Sequence, residues 1–195
     1  MRETLLNNPL GLVNFSDGTL TGANVRESSK TMGQMGKIFQ DQEAWAKIAP
    51  DRLIYKVQWI PPVEDGTEGG LFWGNTTIEP GMVNDEYFMT HGHYHSKSDR
   101  SEFYATVGGK GYLVMMDRNR RAWAEPMSPG SLHYVPVDTA HRVVNCGDEQ
   151  LRFLACWPSD AGHDYGTIAD HGFSLRVLSR NGQPTLISVS DVSFS

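Results

Sequence analysis

Residues 90–104, Thr90 to Tyr104, read THGHYHSKSDRSEFY. Aromatic and apolar positions on either side of SKSD give the stretch the pattern of a strand, a turn and a returning strand. Residues two apart on a strand face the same way, so His93 and His95 point together. Glu102 returns after the turn and can bring its carboxylate to the same place, with Tyr104 on its face. Three metal-binding side chains thus fall within ten residues, in a chain that holds seven histidines. The best candidate for a fourth ligand is His141, which opens an alternating strand after a turn in GSLHYVPVDTAHRVVN, residues 130–145.

The period of two extends over most of the chain. RLIYKVQWIPP (52–62), GGLFWGNTTIEPG (69–81), RAWAEPMSPGSLHYVPV (121–137) and FSLRVLSRNGQPTLISV (173–189) are short apolar or β-branched runs between Gly, Pro, Asn and Asp turns. That is the pattern of an all-β sandwich or barrel. Asn181-Gly182 suits a type I′ hairpin turn. Upstream, residues 1–29 read as an irregular arm with one strand. In residues 29–50, Met32, Met35, Ile38, Phe39, Trp45 and Ile48 lie near helical spacing. Gly33 and Gly36 weaken the start of that segment, so the helix is expected over 38–48, ending before Pro50. A short helix is expected in DYGTIADHG (164–172). The organisation predicted is a single domain: an arm and helix over 1–50, packed on a barrel over 51–195.

The chain has 195 residues, enough for one domain with a substantial core. Lys plus Arg number 17 and Asp plus Glu 23, a net charge of −6. That balance gives no support to nucleic-acid binding, though a small basic pocket could hold one anion. No apolar run suggests a secretory signal or a membrane span. Cys146 and Cys156 fit a reducing cytoplasm better than a disulfide framework. A cytoplasmic protein is expected, with partners that are neither nucleic acid nor membrane.

Two motifs connect these observations. Gly130, Pro136, His141 and Asn145 fit the second cupin motif, with Asp138 where its middle glycine is expected. His93, His95, Glu102 and Gly109 fit the first motif, except that six residues separate His95 from Glu102 where most cupins have three or four. The chain resembles the cupin superfamily, and within it the cupin-type, or archaeal-type, glucose-6-phosphate isomerases. The resemblance runs from about Met35 to Gln183 through GKIFQDQEAW, RLIYKV, THGHYHSKSDRSEFY, GKGYLV, YVPVDTAHRVVN and DAGHDYGTIADHGFS.

This resemblance implies a cupin jelly-roll β-barrel that interconverts glucose 6-phosphate and fructose 6-phosphate, and a homodimer formed by strand exchange at the barrel edge. It implies that His93, His95, Glu102 and His141 hold one divalent metal ion, a donor set suited to Fe, Mn, Ni, Co or Zn. Glu102 is then the candidate base, with Tyr104 beside it, and His163 and Tyr165 contact the substrate. Thr90, Gly92 and either Thr76 or Thr77 match positions that hold the phosphate, and Tyr55 matches another substrate contact. Trp157 stands where a tyrosine is expected at the substrate, and His91 where a lysine is expected. Another cupin chemistry (an oxygenase or a related sugar isomerase) and a non-catalytic sugar-binding cupin remain alternatives.

Ordinary readings hold elsewhere. His133 and His171 read as hydrogen-bonded surface or core residues, and His91 leans the same way. KSDR and DRNRR read as solvated turns, and the stripe from Met32 to Ile48 as core packing.

Overall fold

A computed structural model describes residues 7–169 and 171–189. The first six residues of the expected arm, Asp170 of the DYGTIADHG segment, and residues 190–195 of the expected barrel unit lie outside them.

The fold is all-β. In the arm, β1 (Leu12–Val13) and β2 (Leu20–Thr21) form a small ribbon, and β3 (Arg26–Thr31) joins the main sheet. Next come α1 (Gln42–Ala46), β4 (Leu53–Ile60), β5 (Leu71–Ile78), β6 (Met82–Val83) and β7 (Glu86–Tyr87). The second half adds β8 (Glu102–Gly108), β9 (Gly111–Met116), β10 (Ala122–Met127), β11 (Leu132–Val135), β12 (Ala140–Asn145) and β13 (Leu151–Pro158), then β14 (Leu175–Arg180) and β15 (Gln183–Ser188). The main sheet has the order β11-β8-β13-β5-β4-β3. A second sheet, β10-β9-β12, shares its core, and a third has the order β15-β14-β7-β6.

Alternation in the main sheet separates two surfaces. In β5, Thr76 and Phe72 turn into a cavity while Trp73 turns out. Gly74 lies in the same inward row, and a Cβ there would come within 2.7 Å of the Trp157 ring. The glycine therefore leaves room for Trp157, whose ring also meets Phe72 edge-on at 5.9 Å. Asn145, the last residue of the second motif, is fully buried. Its amide donates to the carbonyls of Ile78 and Glu149, both at 2.9 Å, and so joins the two sheets.

Two local expectations need correction. The helix expected over 38–48 is confined to Gln42–Ala46, because Asp41 caps it by accepting from the Ala44 N–H at 2.8 Å. The stripe ahead of it consists of two 3₁₀ turns, Met32–Gln34 and Gly36–Ile38. Buried Met32, Met35 and Ile38 recur every three residues, the 3₁₀ period, and over so short a run this passes for 3.6. The short helix expected in DYGTIADHG is present, as a 3₁₀ helix at Gly166–Ile168. Residues 88–95 do not form one continuous strand. They touch the second sheet through the bridges Met89–Val144 and His93–His141. The hairpin expectation holds: Asn181 and Gly182, both with positive φ, turn β14 into β15.

Candidate metal centre and substrate cavity

One cavity of about 490 Å³ opens between the main sheet and the segment 90–95. His93, His95 and His141 meet at its base, each offering a ring nitrogen within 4.8 Å of the others. Their positions have separate causes. His93 is held by its bridge to His141, with reciprocal backbone hydrogen bonds of 3.3 and 3.0 Å. His95 places Nδ1 2.8 Å from the Arg100 carbonyl, and His141 places Nδ1 3.1 Å from the Thr139 carbonyl. A carbonyl can only accept, so these two rings carry the proton on Nδ1 and turn a bare Nε2 inward.

Glu102, the first residue of β8, lies beside two of these rings, though outside the mutual 4.8 Å of the three histidines. Its Oε1 lies 2.9 Å from His141 Nε2, and its Oε2 lies 3.6 Å from His95 Nε2. Glu102 Oε1 and His141 Nε2 are nevertheless both buried without a hydrogen-bond partner. The separation is short enough, but the angles are not those of a hydrogen bond. Leaving such atoms unsatisfied costs about 1–3 kcal/mol each. Two orphaned donors to a metal, beside two further imidazoles, fit a divalent cation better than they fit one another.

The protonation states of His93 and Glu102 agree with that donor set, while the Glu102 charge beside His95 favours its protonated form. Burial holds His93 well below the ordinary histidine value, and His141 and His163 push it the same way. Burial opposes charge on Glu102, but His141 and His95 outweigh it and hold the carboxyl well below its usual range. For His95 burial is likewise outweighed, here by Glu102, and its pKa is raised. Burial, then the charge on Glu102, pushes the Tyr104 hydroxyl well above its ordinary value, so Tyr104 stays a neutral donor.

Thr76, Thr90, His91, Gly92, Tyr55, Tyr104, Trp157, His163 and Tyr165 all line the cavity. Thr77 does not, because in β5 it points to the opposite face from Thr76. Thr90 accepts from the Val143 N–H at 3.0 Å through its hydroxyl. Gly92 has φ +78, and a Cβ there would lie 2.7 Å from the Phe173 ring and 3.0 Å from Arg142 Nε. Glycine is required at that position for both reasons. At the mouth, the Tyr165 ring meets His91 edge-on at 4.8 Å and stacks on His163 at 5.8 Å. His163 in turn lies 4.4 Å from His93.

The structure also brings in residues that the sequence did not single out. Arg26, Ser28 and Lys30, alternate positions of β3, line the wall opposite the histidines. Period-two alternation in RESSKT was their only signal, and it was hidden in a segment read as an irregular arm. Asp138 explains its departure from the motif. Its φ is +53, a left-handed conformation that aspartate tolerates better than most residues. Its carboxylate accepts from Arg118 Nε at 2.7 Å. His133 bears out its ordinary reading, bridging Glu125 at 2.7 Å and Ser131 at 2.8 Å.

The family model described as "Glucose-6-phosphate isomerase (GPI)" matches residues 28–191. The chain is 42% identical over 182 residues to the glucose-6-phosphate isomerase of Pyrococcus abyssi, covering 92% of this chain and 94% of that relative. It is 42% identical over 178 residues to the glucose-6-phosphate isomerase of Thermococcus litoralis, covering 90% and 92%. The putative glucose-6-phosphate isomerase 2 of Rhizobium meliloti is 34% identical over 173 residues, covering 87% and 85%. Among solved structures, oxalate decarboxylase from Bacillus subtilis at pH 4.6 superposes with a TM-score of 0.45 at 25% identity. That match covers 56% of this chain, which spans about a quarter (26%) of the longer one.

Proposed function

The chain belongs to the glucose-6-phosphate isomerase family, and we propose that it interconverts glucose 6-phosphate and fructose 6-phosphate with the help of one divalent metal ion. His93, His95, His141 and Glu102 would hold that ion, whether Fe, Mn, Ni, Co or Zn. The observation that carries the proposal is the pair of orphaned, buried atoms Glu102 Oε1 and His141 Nε2, 2.9 Å apart at the base of the cavity. When bound, such an ion supplies Lewis acidity that polarises the sugar carbonyl.

The residues of the chain supply the rest. Glu102 is the group proposed to move the proton between C1 and C2. Its ionised state suits the role, while its low basicity leaves a direct hydride shift as the other route. Tyr104, a neutral donor beside it, orients a sugar hydroxyl. His163 and Tyr165, at the mouth, are placed to help open the ring and pass hydroxyl protons. Thr76, Thr90 and the Gly92 N–H are the proposed phosphate contacts, and Lys30 and Arg26 on β3 add positive charge to the same cavity. An acidic chain can therefore bind an anionic sugar, because the charge that matters is local.

The outer face of the main sheet supports the expected homodimer. Tyr134, Phe103, Cys156, Trp73 and Ile60 are paired across five neighbouring strands, and Tyr134, Phe103 and Trp73 are exposed. An apolar row of this kind suits a second copy of the chain. Among the described residues no helix is long and apolar enough to cross a membrane. Both cysteines are free, and burial pushes the Cys146 thiol up to about 12. Two free cysteines with no disulfide fit the reducing, cytoplasmic setting proposed.

The test is a coupled assay of metal-stripped and metal-reconstituted protein on fructose 6-phosphate, following glucose 6-phosphate. Turnover that returns with metal is the expected result. No product above blank with any of the five metals would refute the proposal.

A further inference from the structure

The six residues between His95 and Glu102 are a departure from most cupins, and the structure shows what they touch. Asp160 sits behind them with only 1% of its side chain exposed. Arg100 grips it through two parallel bonds, Nε to Oδ1 at 2.9 Å and Nη2 to Oδ2 at 2.8 Å. Lys97 adds a third bond, Nζ to Oδ2 at 2.8 Å. The fork geometry fixes direction as well as distance.

The loop held in this way contacts three parts of the site. The Arg100 carbonyl, on the same residue as the fork, accepts from Nδ1 of His95 at 2.8 Å. The Ser98 carbonyl accepts from the Asp138 N–H at 2.6 Å, in the turn whose next carbonyl, that of Thr139, orients His141. The Lys97 N–H donates to the Ala161 carbonyl at 3.0 Å, and Tyr94 and Asp164 exchange backbone bonds of 3.1 and 2.8 Å. His163 and Tyr165 belong to that last segment. Gly162, with φ +64, lies so close to the loop that a Cβ would come within 2.9 Å of Ser96.

We propose that Asp160 is a positioning residue: through Arg100 and Lys97 it locks the 96–101 loop, and so fixes the His95 imidazole and the His163–Tyr165 segment relative to each other. It touches neither the proposed ion nor the substrate. The inference rests on the metal-dependent reading above, and adds to it a reason for the long spacing between His95 and Glu102. A surface ion pair would contribute little. This carboxylate is enclosed, bonded three times, and joined to a metal-ligand candidate through one residue.

The experiment compares wild type, Asp160→Asn and Arg100→Lys. Each is measured for affinity towards Mn²⁺ by chelator competition, for kcat and KM on fructose 6-phosphate, and for the melting temperature of the metal-free protein. Removing a partner that orients a metal ligand typically weakens affinity about 10- to 100-fold. The expected result is a loss of that size in Mn²⁺ affinity with a raised KM, while the metal-free melting temperature shifts by only a few degrees. Arg100→Lys keeps the charge and loses the fork, so it should show a smaller loss in the same direction and serves if Asp160→Asn does not fold. Variants that bind Mn²⁺ and turn over like wild type would overturn the clamp alone. A wild type that binds neither Mn²⁺ nor any of the other four metals would overturn the metal reading, and the clamp with it.

Discussion

The two ends of the cavity are built in opposite ways. At the base, His93, His95, His141 and Glu102 are closely packed, and two of the imidazoles are aimed by backbone carbonyls. At the opposite wall, Arg26 and Ser28 lie exposed on an edge strand, and Lys30 is half-buried. The base holds two buried polar atoms, Glu102 Oε1 and His141 Nε2, that have no hydrogen-bond partner. The wall has charge and alternation but little enclosure. On the proposed reading, the difference separates chemistry from capture: a closely packed centre for the reacting carbons, and a more open wall whose cations add to the phosphate contacts of Thr76, Thr90 and Gly92.

The largest predicted effect breaks the base. Glu102→Ala or His141→Ala should lose the metal and, with it, several kcal/mol of transition-state stabilisation. The coupled assay should then show kcat reduced about a thousand-fold or more. A near-normal kcat would mean that the base is not the chemical end.

A smaller effect is expected at the wall. Replacing Lys30 and Arg26 together by methionine should raise KM for fructose 6-phosphate about tenfold, or ~1.4 kcal/mol, with kcat little changed. Steady-state kinetics separate the two parameters, and a fall in kcat at constant KM would contradict the division of labour. Smaller again is Trp157→Tyr. It restores a hydroxyl at a ring that lies across Gly74, so KM should change by roughly threefold, below 1 kcal/mol. The smallest effect sharpens the contrast between Thr76 and its neighbour. Thr77→Val should leave kinetics unchanged and stability within about 0.5 kcal/mol of wild type by thermal melting, because Thr77 lies outside the cavity.

The legibility of the sequence follows the same division. The base was readable because imidazoles are scarce, seven in the chain, and His-x-His followed by a turn and a glutamate leaves few other arrangements. The strand pattern was readable because a half-buried sheet imposes a period of two. The wall was hidden because RESSKT holds ordinary surface residues, and only pairing with β4 makes its alternation face the cavity. Thr76 and Thr77 stayed undivided because matching them to the family turns on a one-residue gap, and only the sheet partners of β5 show that Thr76 faces in. The helix before β4 was misjudged in length because a 3₁₀ stripe and an α stripe differ by little over two turns. The role of Asp160 had no local signal, since it lies about sixty positions from the residues it holds.

Anomalous diffraction at the manganese edge, from crystals grown with Mn²⁺, addresses the centre directly. The result predicted is one peak per chain, within bonding distance of the His93, His95 and His141 ring nitrogens and a Glu102 oxygen. A peak elsewhere, or none at that point under conditions in which the protein turns over fructose 6-phosphate, would contradict the account.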